Sequence, residues 1–253
     1  MNNVLRPNQA ILLSAMLLGV VVSTSSADEE RAMTYRVSRA DQPIPTDAKW
    51  DSPSWREVEP LELRHFMGEK PKHFPRVRAK LAYDDKALYV IFDVKDQYVR
   101  AVAQQHQGAV FQDSCVELFF TPGNDVAAGY FNLEMNCGGT MLLHYQRVPR
   151  KNSLPWSKEH LARIEVAHSL PKIVEPEIDK PTDWTVAYRL PLELLGKYFP
   201  GQIAQPAPGV VWRANVYKCA DDTSHPHWLT WSPVEFKRPD FHRPDQFGTL
   251  VFE

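Results

Sequence analysis

The chain has 253 residues, 43% of them hydrophobic and 24% charged, with a net charge of −2. That balance disfavours nucleic acid and acidic membrane surfaces as partners, since both demand clustered cations. With 21 prolines against 11 glycines, short strands joined by ordered connections are expected, and the length suits one large β domain or two small ones.

The first predicted element is a targeting segment. Arg6 supplies a positive start, residues 10–22 form an apolar run, and Ser25-Ser26-Ala27 offers the small residues a signal peptidase reads. The run is short of the roughly 20 residues a spanning helix needs, so a cleavable signal peptide over residues 1–27 is expected. An uncleaved anchor is the minority alternative. The protein is then exported, periplasmic or extracellular, with Asp28 first and no membrane span after processing. Cleavage removes one cation, Arg6, and no acid, which makes the balance one unit more negative. No cysteine closely follows the run, so a lipid anchor is not expected.

Residues 28–45 are charged and without period, an N-terminal lead-in to a domain over 46–253. Trp50 and Trp55 bracket a turn that packs on the domain edge. Val77, Ala79 and Leu81 alternate with Arg76, Arg78 and Lys80. After a turn at Asp84-Asp85-Lys86 the chain returns as Leu88 to Val94, a hairpin.

The stretch from Phe111 to Thr140 is the most informative. Residues 113–120 and 131–136 alternate with period two about a turn at Pro122-Gly123-Asn124-Asp125, which again predicts a hairpin. One face carries Val116, Leu118, Phe120, Phe131, Leu133 and Met135. The other carries Asp113, Cys115, Glu117, Asn132, Glu134 and Asn136. Antiparallel sheets commonly bury one face and wet the other. The polar face is therefore expected to be an open surface, rich in the carboxylates and amides that bond vicinal hydroxyls.

Gly139 to Tyr145 extends this hairpin into a meander. Residues 146–160 and 171–182 read as connections, with a strand over 163–168 between them. Trp184 to Leu190 is a further strand. Pro191 to Gly196 is one helical turn, opened by Pro and closed by Gly. Strands at 210–219, 228–231 and 248–252 complete about ten, with no long amphipathic helix. The pattern predicts an all-β, antiparallel β-sandwich with one short helical turn.

Three cysteines allow one disulfide and leave one thiol over. Strand parity puts Cys115 on the polar face and Cys137 on the apolar face, so those two should not bridge, while Cys219 is free to meet either. His225-Pro226-His227 with Asp221 and Asp222 has a pair of imidazoles and carboxylates but no third soft ligand beside it, so a loop without metal is the expected reading.

Four segments in order resemble carbohydrate-binding module family 9 and its free-standing bacterial relatives. They are residues 88–96 (LYVIFDVKD), 113–119 (DSCVELF), 212–219 (WRANVYKC) and 241–248 (FHRPDQFG), and the likeness runs from about residue 45 to the C-terminus. It implies a jelly-roll-like sandwich that binds oligo- or polysaccharide without cleaving it, in support of polysaccharide utilisation and with a glycoside hydrolase as a possible partner. In xylanase-attached members two aromatic residues sandwich a terminal sugar. Those positions correspond to Phe111 and Phe241 here, while an arginine and a glutamine of those members fall at Asn132 and Tyr217. The ligand-binding set expected from alternation and resemblance together is Phe111, Glu117, Asn132, Asn136, Tyr217, Trp231, Phe241 and His242.

No cofactor is demanded by any motif. Members of the family hold structural calcium, for which Asp84-Asp85 and Asp93 with Asp96 are the candidate ligands, without the dense spacing of a self-sufficient loop. Two other functions stand beside the binding reading. A haem- or metal-binding electron-transfer domain of the DOMON type would use Met135, Met141 and His144. A glycoside hydrolase would need two carboxylates across one bond, for which Glu117 and Glu134 share a face. No nucleophile elbow, phosphate loop or zinc-protease motif occurs, so the chain is not expected to be an enzyme.

Overall fold

The computed structural model describes residues 33–253 together with Met1, so the predicted signal peptide lies outside the described residues. The strands in chain order are β1 (Thr34–Arg39), β2 (Leu61–Glu62), β3 (His65–Phe66), β4 (Arg76–Tyr83) and β5 (Ala87–Ala101). There follow β6 (Cys115–Thr121), β7 (Tyr130–Asn136), β8 (Met141–Val148), β9 (Lys151–Pro155) and β10 (Glu165–His168). The last are β11 (Val174–Pro191), β12 (Val211–Cys219), β13 (Trp228–Thr230) and β14 (Gly248–Phe252).

Eleven of these strands make one continuous path, β10-β11-β5-β4-β1-β14-β12-β6-β7-β8-β9, while β2 pairs with β4 and β13 with β12 and β3 beside it; the path folds over on itself as an all-β sandwich. The fold-over point is β1. Its first four residues pair with β14 of one layer, and Ser38 and Arg39 pair with β4 of the other. Both of these pairings are parallel, the exception in an otherwise antiparallel structure. One hydrophobic core lies between the layers. Val77, Phe92, Val94 and Trp184 come to it from the β4-β5-β11 layer, and Leu118, Phe120, Leu133 and Met135 from the β6-β7 layer.

The alternation read from the sequence sets this core. In the β6–β7 ladder Val116 faces Met135, Leu118 faces Leu133 and Phe120 faces Phe131. Phe120 also stacks on Trp212, with ring centroids 5.4 Å apart and planes 7° from parallel. Each such side chain contributes roughly 1.5–3 kcal/mol by leaving water. The β4–β5 turn closes as its sequence requires: Asp84 Oδ1 accepts from the backbone N–H of Lys86 and Ala87 at 2.7 and 2.8 Å. Trp50 and Trp55 pack with Tyr89 and Ile91 in a second cluster on the outer face of the β4–β5 layer.

Three expectations need correction. The lead-in at 28–45 contains β1, whose Tyr35 and Val37 are buried; a strand with two inward residues is too short to show a period among charged neighbours. The supposed connections at 146–160 and 171–182 are largely strand. β9 is exposed along its whole length, so neither of its faces carries an apolar signal. β11 absorbs Pro176 and Pro181 by two register irregularities against β5. There its other edge is unpaired, because β10 covers only Val186 to Arg189, and edges tolerate proline. The helical content among the described residues is three four-residue α-helical turns, Pro53–Arg56, Lys158–Leu161 and Leu192–Leu195, and three 3-10 turns, Val110–Gln112, Val126–Ala128 and Pro244–Gln246, in place of one.

Candidate functional site

The polar face of β6 and β7 is not wet. Glu117 is 2% exposed, Asn132 1%, Glu134 5% and Asn136 0%. The cause lies in the apolar residues interleaved with them. Phe119, Tyr130, Leu142 and Tyr217 share this face and form a further buried cluster with Val234, Phe241 and Phe247. The chain between β13 and β14 returns over the sheet to cover them, and the polar groups are enclosed with them.

What remains open between sheet and cover is a cavity of about 270 Å³. The structure brings Phe111, Glu117, Asn132, Phe241 and His242 to its lining, together with Glu134. Phe241 is 7% exposed and lies flat on Tyr217, 4.2 Å between centroids and 10° between planes, whereas Phe111 is 38% exposed. His242 accepts or donates through Nδ1 to the Tyr130 hydroxyl at 2.7 Å, and burial lowers its pKa to about 4, which keeps the ring neutral.

Three of the expected residues do not line the cavity. Asn136 accepts from the backbone N–H of Gly138 and Thr140 and donates to Asp113 Oδ2 at 2.9 Å, which ties down the β7–β8 turn. Tyr217 sits beneath Phe241 and donates its hydroxyl to the Phe241 carbonyl at 3.1 Å. Trp231 is in the core, edge-on to Tyr35, and so close to Gly248 that a Cβ there would stand 2.8 Å from the indole.

Sequence reasoning missed other lining groups. His144 faces Asn132 across β7–β8, and Gln146 follows it by period two; reading 146–160 as a connection hid the second. Arg150 and Asp240 had no local signal, and Asp221 stood out only beside the histidines of the 225–227 loop. Arg150 and Asp240 pair at 2.8 Å, and Asp221 Oδ1 accepts from the Trp228 indole N–H at 2.8 Å.

The polar groups form a chain that stops short of completion. Gln146 Nε2 donates to Asn132 Oδ1 at 3.1 Å, Asn132 Nδ2 donates to Glu134 Oε1 at 2.9 Å, and Cys219 Sγ donates to Glu117 Oε1 at 3.1 Å. Glu117 Oε2, Glu134 Oε2 and Gln146 Oε1 are buried and have no protein partner. Unsatisfied buried acceptors are costly, so three in one cavity call for a ligand or solvent with donors. Burial raises the pKa of both carboxyls, Glu117 well above the usual range and Glu134 to about 7; neighbouring Cys219 and Glu134 add to the rise at Glu117. Burial therefore favours the protonated form of Glu117, in which the carboxyl can donate as well as accept.

The residues weighed for other chemistry are separated or engaged. Met135 and Met141 are in the core between the layers, while His144 lines the cavity on the opposite side of the sheet, so the three do not converge on one haem. His227 bonds Lys218 Nζ through Nε2 and the His225 carbonyl through Nδ1, and the His225 ring stacks on Tyr98. Among the calcium candidates, Asp84 closes its turn and accepts from Tyr89, Asp93 accepts from Arg78, and Asp96 bonds His73 and lies 3.5 Å from Lys218. No helix among the described residues is long and apolar enough to cross a membrane.

Comparison with known proteins agrees with this fold. The sequence profile of carbohydrate-binding family 9 matches residues 56–252. A candidate carbohydrate-binding protein from Bacteroides uniformis ATCC 8492 is 28% identical, with a TM-score of 0.77 over 88% of this chain and 100% of that one. Two structures of a family 9 module from Caldicellulosiruptor kristjanssonii share the fold with TM-scores of 0.56. The complex with cellotriose is 17% identical over 87% of this chain and 94% of that one. The complex with glucose is 16% identical over 87% and 96%. No curated protein matches. With a profile match that runs through both layers and the cavity between Phe111 and Phe241, the chain belongs to carbohydrate-binding family 9.

Proposed function

We propose that the cavity holds one terminal sugar of a glycan, and that the protein is exported to serve polysaccharide utilisation by binding without cleavage. The observation that carries this reading is the set of three unpartnered buried oxygens, on Glu117, Glu134 and Gln146, beside the rings of Phe111 and Phe241. A pyranose has the matching chemistry: several hydroxyl donors around its rim and an apolar C–H face that gains by covering an aromatic ring. About 270 Å³ is room for a single ring rather than a chain, which favours a chain end. The non-catalytic character of the family and the glucose and cellotriose held by its Caldicellulosiruptor module support the same reading. Export rests on Arg6 and the apolar run over 10–22. A glycoside hydrolase that acts on the same polysaccharide is the partner this role implies.

A glycan array probed with the chain from Asp28 onward, followed by calorimetry on the best monosaccharide, tests the proposal. Saturable binding at about μM to mM affinity is expected. Weakening of that binding in Glu134→Gln and Phe111→Ala assigns it to this cavity, and an array blank for every neutral glycan end would reject it.

A further inference from the structure

Beneath the cavity, three side chains on one face of the β6–β12 pair converge for a reason hydroxyl binding does not require. Antiparallel pairing sets Cys219 directly opposite Cys115, and Glu117 follows Cys115 by two residues, on the same side of the sheet. A ligand atom from each of the three lies within 4.8 Å of the other two, and all three residues are buried. Zinc bonds of about 2.3 Å to sulfur and 2.0–2.2 Å to oxygen place tetrahedral ligand atoms about 3.5–3.8 Å apart, within that spread.

We propose that Cys115, Cys219 and Glu117 form a binding site for a thiophilic divalent cation of the zinc class, with its fourth position facing the cavity. Two thiolates exclude calcium by their softness and favour a borderline cation. The independent pointer is Glu117 Oε2, which is 98% enclosed with its residue and bonds nothing in the protein. The Cys115 thiol has weak partners, the Val116 carbonyl at 3.7 Å and the Cys219 thiol. Entry runs through the cavity, because Cys219 and Glu117 line it. Binding displaces the two thiol protons, together with the proton held by the Glu117 carboxyl in its protonated form, to solvent, and the sulfurs remain at the thiolate oxidation level. Cys137 is on the core face of the sheet and takes no part, which makes it an internal control. The site does not depend on the cavity's taking a sugar.

The test is titration of the reduced, metal-free protein with Co²⁺. Expected are a thiolate-to-cobalt charge-transfer band that saturates at one ion per chain, its displacement by Zn²⁺, and a higher melting temperature with Zn²⁺ present. Cys137→Ser keeps the band, Cys115→Ser and Cys219→Ser lose it, and Glu117→Gln weakens Co²⁺ binding about tenfold or more. If a serine variant fails to fold, the wild type and Cys137→Ser still decide, through stoichiometry and the Zn²⁺ thermal shift. Absence of the band and of the shift in wild-type protein overturns the proposal. A Cys115–Cys219 disulfide found by peptide mapping of the exported protein also overturns it.

Discussion

Replacing Glu134 by Gln removes a buried acidic group while keeping the side-chain shape and the acceptor that Asn132 uses. Folding raises the Glu134 pKa from its usual 4.5 to about 7. Below pH 4.5 the folded and unfolded chains both hold the proton, and no penalty exists. Between 4.5 and 7 the unfolded chain ionises first, so stability falls as pH rises, and above 7 the full penalty applies. A difference of about 2.5 pH units is worth about 3 kcal/mol, or about 6–12 °C in melting temperature for a domain of this size. Thermal unfolding from pH 5 to 8.5 should therefore show Glu134→Gln above wild type at the alkaline end and level with it at the acid end. Some slope survives in the variant, because Glu117 is raised as well. Calorimetry should show the opposite trend in binding. The variant loses a carboxylate oxygen that faces the ligand, which costs about 1.5–3 kcal/mol, or about ten- to a hundredfold in affinity. Parallel melting curves at all pH values would refute the burial argument, and unchanged sugar affinity would refute the role given to Oε2.

The two aromatic residues should separate cleanly. Phe111→Ala should weaken glycan retention in affinity electrophoresis by about 1–2 kcal/mol and leave the melting temperature within about 3 °C, since that ring is 38% exposed. Phe241→Ala should cost about 3–5 kcal/mol of stability in denaturant unfolding, because its ring is stacked on Tyr217; equal melting temperatures for the two variants would contradict this. Lys218→Met should destabilise by about 3–5 kcal/mol, since it strips a buried cation from beside Asp96, and an unmoved denaturant midpoint would show that His73 and the backbone N–H groups of Gln97 and Tyr98 sustain that carboxylate. Asn136→Ala should cost about 1–3 kcal/mol for each turn N–H it orphans and leave sugar affinity unchanged; a large loss of affinity would return Asn136 to the site.

Much of the fold was legible because period two is a strong signal where one face of a strand is apolar. The pairs from Val116–Met135 to Phe120–Phe131 lie in the register that alternation predicts. It failed where burial was not one-sided. β9 is exposed on both faces and read as a connection, and the proline-bearing half of β11 shows no apolar stripe because neither of its faces is consistently buried. Phe111, Glu117, Asn132, Phe241 and His242 were brought together by alternation and resemblance jointly. Arg150 and Asp240, 90 residues apart in sequence, meet only through the return of the chain after β13, which no local pattern encodes.

The larger misreading concerns what a polar strand face means. Glu117, Asn132 and Glu134 looked solvated because carboxylates and amides usually are. The same face also holds Phe119, Tyr130 and Tyr217, whose rings bring Phe241 and Phe247 down as a cover. That apolar cluster stabilises the enclosure, and the acids trapped within it oppose it. A sequence under selection for stability alone would place apolar residues at 117 and 134, where the neighbours already form a core. Retaining two acids there, with pKa values driven up by burial, lowers stability at neutral pH in exchange for oxygens that only a donor-rich ligand satisfies. The apolar Glu117→Leu and Glu134→Leu double variant should accordingly fold more stably above pH 7 and bind no sugar. A double variant that is less stable than wild type at that pH would show that the acids are structural, and the functional reading of the face would go with them.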